Sequence, residues 1–211
     1  MKGLVFAQQI NMGGRHDATG AFIPGARQFA NRHSLGQPVW LDDRDDRRTM
    51  LEAIRTANKL DVIAYFGHGV RNGLSSAEVR LRDIPEFARA IVAAAGPECK
   101  FVLYACSSAA PGGFAEQIAS AMAGKVAVYG HTTVGHAYRN PHVARYPFLP
   151  GQTQPFVVEP NSSLWPEWQR AMRSEFWMRF PFLSKPAIEA ELGGPAAPGA
   201  TATQNTAVAS H

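Results

Sequence analysis

Long apolar runs are missing from this chain of 211 residues. No stretch reaches the roughly 18 residues that a membrane span requires. The opening apolar segment, Gly3 to Ala7, stops at Gln8-Gln9, short of the roughly 7–15 apolar residues of a signal peptide. The expected location is therefore the cytosol, although export by a route without a signal leaves no trace in sequence. Charge is also scarce: 18% of residues are Asp, Glu, Lys or Arg, and the formal net charge is +4. Such a chain is too apolar for a disordered polyelectrolyte. Its arginines are scattered, without the basic stripe and interleaved aromatics of a nucleic-acid protein. Only two cysteines occur, Cys99 and Cys106. Seven residues along one strand separate them by about 23 Å, beyond the roughly 7 Å limit between disulfide-bonded Cα atoms. No internal bridge is expected, which fits a reducing compartment.

What remains is 45% hydrophobic, enough for a real core, and it alternates strand with helix. Short apolar strands are expected at Leu4–Ala7, Pro38–Leu41, Asp61–Phe66, Lys100–Ala105 and Lys125–Tyr129. Helices are expected at Pro24–His33, from Asp45 to about Lys59, at Pro85–Ala95 and at Gly113–Ala123. Proline near a helix start, acids in a first turn and Gly124 after a last turn mark the boundaries. Near-continuous apolar strands alternating with helices indicate a mostly parallel sheet covered on both faces, an α/β/α sandwich. From His131 to Pro150 the pattern reads as a His-, Tyr- and Pro-rich loop, with one more strand at Pro155–Glu159. Leu164–Phe180 reads as an aromatic-rich helix that docks on the sheet or holds a partner protein. Its arginines leave an interfacial membrane role as the less favoured alternative. The expected organisation is a domain over residues 1–160, a helical segment over 161–185 and a flexible tail over 186–211.

Two of the buried strands end in reactive residues. One runs Ala64-Tyr65-Phe66-Gly67-His68-Gly69, the other Val102-Leu103-Tyr104-Ala105-Cys106-Ser107-Ser108. In open parallel sheets, function collects beyond the carboxyl ends of the strands. If these two are neighbours, about 4.8 Å apart, a thiol and an imidazole project from one edge. The chemistry wants this pair. A free thiol of pKa about 8.5 is little ionised at neutral pH, so the imidazole must take its proton and later protonate a leaving amine. The oxyanion formed at a carbonyl needs preorganised N–H donors, for which the backbones of Gly69 and Cys106 are the candidates. Taken singly, a strand cysteine is most often a small core residue and His-Gly a turn; their joint placement favours a site. A zinc reading is weak, because Cys106, His131 and His136 lack the close paired spacing of zinc ligands. No cofactor or metal is called for.

A hydrophobic strand ending in His-Gly, followed by one ending in Ala-Cys, resembles the clan of caspases, separase, gingipains, legumains and clostripain. Caspases carry Gln-Ala-Cys with the histidine about 50 residues upstream. Here Tyr104-Ala105-Cys106-Ser107-Ser108-Ala109 follows His68 by 38 positions (106 − 68), and Pro111-Gly112-Gly113 then leads into a helix. This is more similar to the bacterial CHAT branch of the clan. The likeness covers roughly residues 1–160 and is specific in 61–130. Histidine before cysteine is also the reverse of the order in class I glutamine amidotransferases.

The resemblance implies a caspase-like three-layer fold and a cysteine endopeptidase with a His68–Cys106 dyad, acting on a protein or peptide in bacterial regulation, defence or as a delivered effector. It further implies a charged pocket for the residue before the cut. Arg15 occupies a loop comparable to that of the caspase arginine and can grip a carboxylate in bidentate fashion. Asp17, Asp42 or Asp43 would instead select a basic residue. His136 and Tyr138 are expected in the pocket wall with the rest of the loop that opens at His131. The alternative from another class is a non-catalytic interaction module with the same fold.

Overall fold

The computed structural model describes residues 1–9, 20–42, 45–75, 77–134 and 143–147. Within them the chain runs β1 (Gly3–Gln8), α1 (Ile23–Arg32), β2 (Val39–Leu41), α2 (Asp46–Thr56), β3 (Leu60–Phe66), β4 (Gly73–Leu74), β5 (Val79–Arg80), a 3-10 turn (Leu81–Asp83), α3 (Ile84–Ala94), β6 (Ala95–Tyr104), α4 (Phe114–Ala121), β7 (Ala127–His131) and β8 (Val143–Tyr146). The strand expected at Pro155–Glu159, the aromatic-rich helix and the tail lie outside the described residues.

Six strands form one sheet in the order β2-β1-β3-β6-β7-β8. All neighbours are parallel except the last pair, where β8 runs antiparallel to β7. The small hairpin β4-β5 stands apart. Every residue of β3 except Asp61 is buried, as befits a central strand covered on both faces. Adjacent side chains in a strand point to opposite faces, and both faces of β3 and β6 meet helices. On one face Ile63, Tyr65, Phe101 and Leu103 share a core with Met50, Leu51 and Ile54 of α2, Phe87 and Ile91 of α3, and Phe114 and Ile118 of α4. On the other face Phe66 and Tyr104 stack at 4.3 Å between ring centroids, and Phe29 of α1 packs edge-on against both. The fold is an α/β/α sandwich with a mostly parallel sheet.

The helices arise where the apolar spacing and breakers place them. Pro24 and Pro85 occupy first turns, where a missing N–H costs nothing. Helix α2 is joined to the 3-10 turn by Arg47 to Asp83 at 3.3 Å and to α3 by Arg55 to Glu86 at 2.8 Å. The hairpin β4-β5 has no counterpart in the sequence expectation, and β7 and β8 depart from it. Strand β7 continues through Gly130 to His131, because β8 pairs with it as far as His131. His131 is thus a buried strand end, 2% exposed, rather than the start of a loop. And Val143–Tyr146, expected within that loop, is a strand.

Candidate functional site

His68 and Cys106 enter through the register of β3 with β6. Phe66 is paired with Tyr104, so each reactive residue stands two positions beyond a matched pair. The pairing carries on past the strand ends, since the Gly67 N–H donates to the Tyr104 carbonyl at 3.4 Å. A Cβ on Gly69 would lie 2.7 Å from the Ala105 Cβ and 2.8 Å from the Cys106 carbonyl oxygen. The two segments are therefore in backbone contact at residues 69 and 106, a distance that only glycine permits. The missing side chain is what admits the partner strand end. Both His68 and Cys106 are half-exposed.

The histidine is held from several sides. Its N–H donates to Oε1 of Gln8, at 3.4 Å, from the end of β1. Its carbonyl accepts the Tyr65 hydroxyl and the Ser75 N–H, each at 3.1 Å. Its ring meets Phe22, at the start of α1, edge-on at 5.1 Å. Gln8 is buried, 1% exposed. It lies where the strand order reverses between β1 and β3, the kind of place where α/β sheets open a crevice. Among the described residues the Gly69 N–H has no acceptor.

The cysteine opens a tight turn. Ser107 has φ +51°, a left-handed conformation that a non-glycine residue adopts at a cost of about 1–3 kcal/mol. Several bonds hold it there. The Ser107 N–H donates to the Thr133 carbonyl and the Ala109 N–H to the His131 carbonyl, each at 2.9 Å. The Ser108 hydroxyl donates to the Ala105 carbonyl at 2.9 Å. The Tyr146 hydroxyl of β8 donates to the Ala109 carbonyl at 3.2 Å.

Cys99 is a different kind of cysteine. It lies within β6, 3% exposed, and its thiol is pushed up to about 11 by burial first and the Asp61 charge second. Neither thiol is in a disulfide. A buried thiol kept in its protonated form is inert at neutral pH.

Of the other expected site residues, Arg15, Asp17, His136 and Tyr138 lie outside the described residues, as does Asp43. Asp42 follows the edge strand β2, which β1 separates from β3. Its N–H donates to the Asp46 carboxylate at 3.0 Å. His131, expected in the pocket wall, sits instead beside Tyr104, with centroids 6.3 Å apart. Of the residues that brace the site, Gln8, Phe22, Tyr65 and Tyr146 were missed by sequence reasoning, whereas Thr133 belongs to the loop expected to border the cleft. Only the buried-strand position of Tyr65 hinted at a need for a hydroxyl partner.

No family model matches the chain, and no curated protein matches it. Among solved structures, an aromatic amino acid aminotransferase with 3-indolepropionic acid is similar at a TM-score of 0.39 and 15% identity. That match covers 90% of this chain and 45% of the aminotransferase, so the chain spans less than half of its length. Among the described residues, no helix is long and apolar enough to cross a membrane.

Proposed function

We propose that this chain is a caspase-like cysteine endopeptidase, similar to the bacterial CHAT branch, in which His68 is the base and Cys106 the nucleophile. One observation carries the reading: two adjacent buried parallel strands in register end with His68 and Cys106 at matching positions, in backbone contact through Gly69. In the proposed reaction His68 takes the thiol proton and the thiolate adds to the scissile carbonyl. The N–H groups of Gly69 and Cys106 receive the negative charge. The intermediate collapses to a thioester as His68 protonates the departing amine. Water, deprotonated by His68, then releases the acid and restores the thiol.

The half-exposure of both residues supports substrate access, and the inert Cys99 leaves Cys106 as the reactive thiol. The substrate is a protein or peptide, and no cofactor enters the scheme. Incubation with a peptide library, read by mass spectrometry, tests it. The wild type should cut a restricted set of sequences. Cys106→Ala and His68→Ala should each lower the rate by about 10³-fold or more. Cleavage that survives Cys106→Ala would remove the dyad. A selective loss of acidic substrates in Arg15→Ala would assign the pocket, and an unchanged preference would exclude Arg15 from it.

A further inference from the structure

Beyond the sheet, the loops that carry the two reactive residues are tied together a second time, by Arg71. This residue follows His68 by three positions. Its Nε and one terminal nitrogen donate to the Pro111 carbonyl at 3.1 and 2.8 Å, and Pro111 follows Cys106 by five. The Arg71 carbonyl in turn accepts the Phe114 N–H at 2.7 Å, and the Ser108 carbonyl accepts the Ala115 N–H at 2.9 Å.

The first amides of α4 are thus satisfied by one carbonyl from the histidine loop and one from the cysteine turn. Gly113, the N-cap, offers no side chain for this, so the loops supply what every helix start needs. The fit is close: a Cβ on Gly113 would lie 2.7 Å from the Arg71 carbonyl oxygen. The gripped segment is itself fixed. The Gly112 N–H donates to Glu116 Oε2 at 2.7 Å, and Gln117 Nε2 donates to the Gly112 carbonyl at 2.9 Å.

Ladder pairing of the two segments ends at Phe66 and Tyr104, and beyond it they meet at the Gly67 N–H and at Gly69. Past that pair, the spacing of residue 68 from residue 106 depends on what holds the loops. We propose that Arg71 is a positioning residue, whose guanidinium bridge to Pro111 sets the separation of His68 and Cys106. The inference rests on the dyad reading above. Arg71 itself touches no reacting atom. A charged fork on one carbonyl makes a stronger and more directional tie than a neutral donor. Misplacement by about 1 Å costs a reaction up to about 100-fold.

The test compares wild type with Arg71→Ala, Arg71→Lys, His68→Ala and, as an arginine on α2 that should not matter, Arg48→Ala. The first readout is the rate of Cys106 alkylation by iodoacetamide at pH 7, which needs no substrate. The second is kcat and KM on a peptide that the wild type cleaves. Arg71→Ala should slow alkylation and lower kcat by about tenfold, with KM within about twofold. Arg71→Lys, which keeps one donor, should lose about threefold in both. Wild-type rates in Arg71→Ala overturn the inference, as does a loss confined to KM. If His68→Ala slows alkylation and Arg71→Ala does not, positioning by Arg71 fails while the dyad stands. If His68→Ala changes nothing, the dyad fails and Arg71 with it. Should Arg71→Ala not fold, Arg71→Lys decides: a reduced rate at the native melting temperature supports the bridge, and a wild-type rate overturns it.

Discussion

His68 is gripped at its N–H by Gln8, at its carbonyl by Tyr65 and Ser75, and at its ring by Phe22. Such bracing suits a base that must keep its place while a proton moves. Gly69 shows how narrow the tolerance is. In Gly69→Ala the new methyl would meet the Ala105 Cβ and the Cys106 carbonyl and push the strand ends apart. Peptide cleavage should fall by about 100-fold. The stability cost should stay near 1–3 kcal/mol, the usual range for overpacking, and parallel urea melts and initial rates would separate the two effects. A loss of activity no larger than the loss of folded protein would contradict this. The placement of His68 and Cys106 just past two neighbouring strand ends was legible in sequence, because each comes at the end of a buried apolar run. Its supports were not, since Gln8 lies 60 positions from His68 and no local pattern records so distant a contact.

At the scale of elements, β3 and β6 fix the site. Both are central and in register, and their apolar runs, Asp61–Phe66 and Lys100–Ala105, displayed them in the sequence, although β6 begins earlier, at Ala95. Strand β8 and the hairpin β4-β5 were not so displayed. Val143–Tyr146 is four residues long with a half-exposed Arg145, and β4 and β5 are two residues each, so neither builds a period that sequence can display. His131 was misread for a related reason: its strand character comes from pairing with Val143 of β8 rather than from its own neighbours. Phe101, fully buried in β6 and two residues before the matched Leu103, should matter to both stability and site. Phe101→Ala should cost about 3–5 kcal/mol, measured by urea denaturation. A cost under about 1 kcal/mol would mean that this core does not set the register.

Across the whole molecule, alkaline pH should weaken the fold. Burial raises Cys99 from 9.0 to about 11 and Tyr146 from 10.0 to about 12, and it also raises Tyr129. The sign follows from proton counting. As pH climbs past 9 the unfolded chain gives up the Cys99 proton while the folded chain keeps it, so unfolding gains. That share of the stability is complete below pH 9 and is lost between about 9 and 11; the Tyr146 share is lost between about 10 and 12. Urea midpoints should therefore fall from pH 8 to pH 10.5, and less steeply in Cys99→Ala. A midpoint independent of pH over this range would contradict the burial of these groups.

The same protonated state of Cys99 makes the central test clean. A peptidyl acyloxymethyl ketone alkylates only a thiolate poised by a nearby imidazole, and intact-protein and peptide mass spectrometry locate the adduct. The wild type should gain one adduct at neutral pH, at Cys106. Cys106→Ala should gain none, and His68→Ala should react at least about 100-fold more slowly. An adduct at Cys99 as readily as at Cys106, or labelling of Cys106 at the wild-type rate without His68, would contradict the dyad.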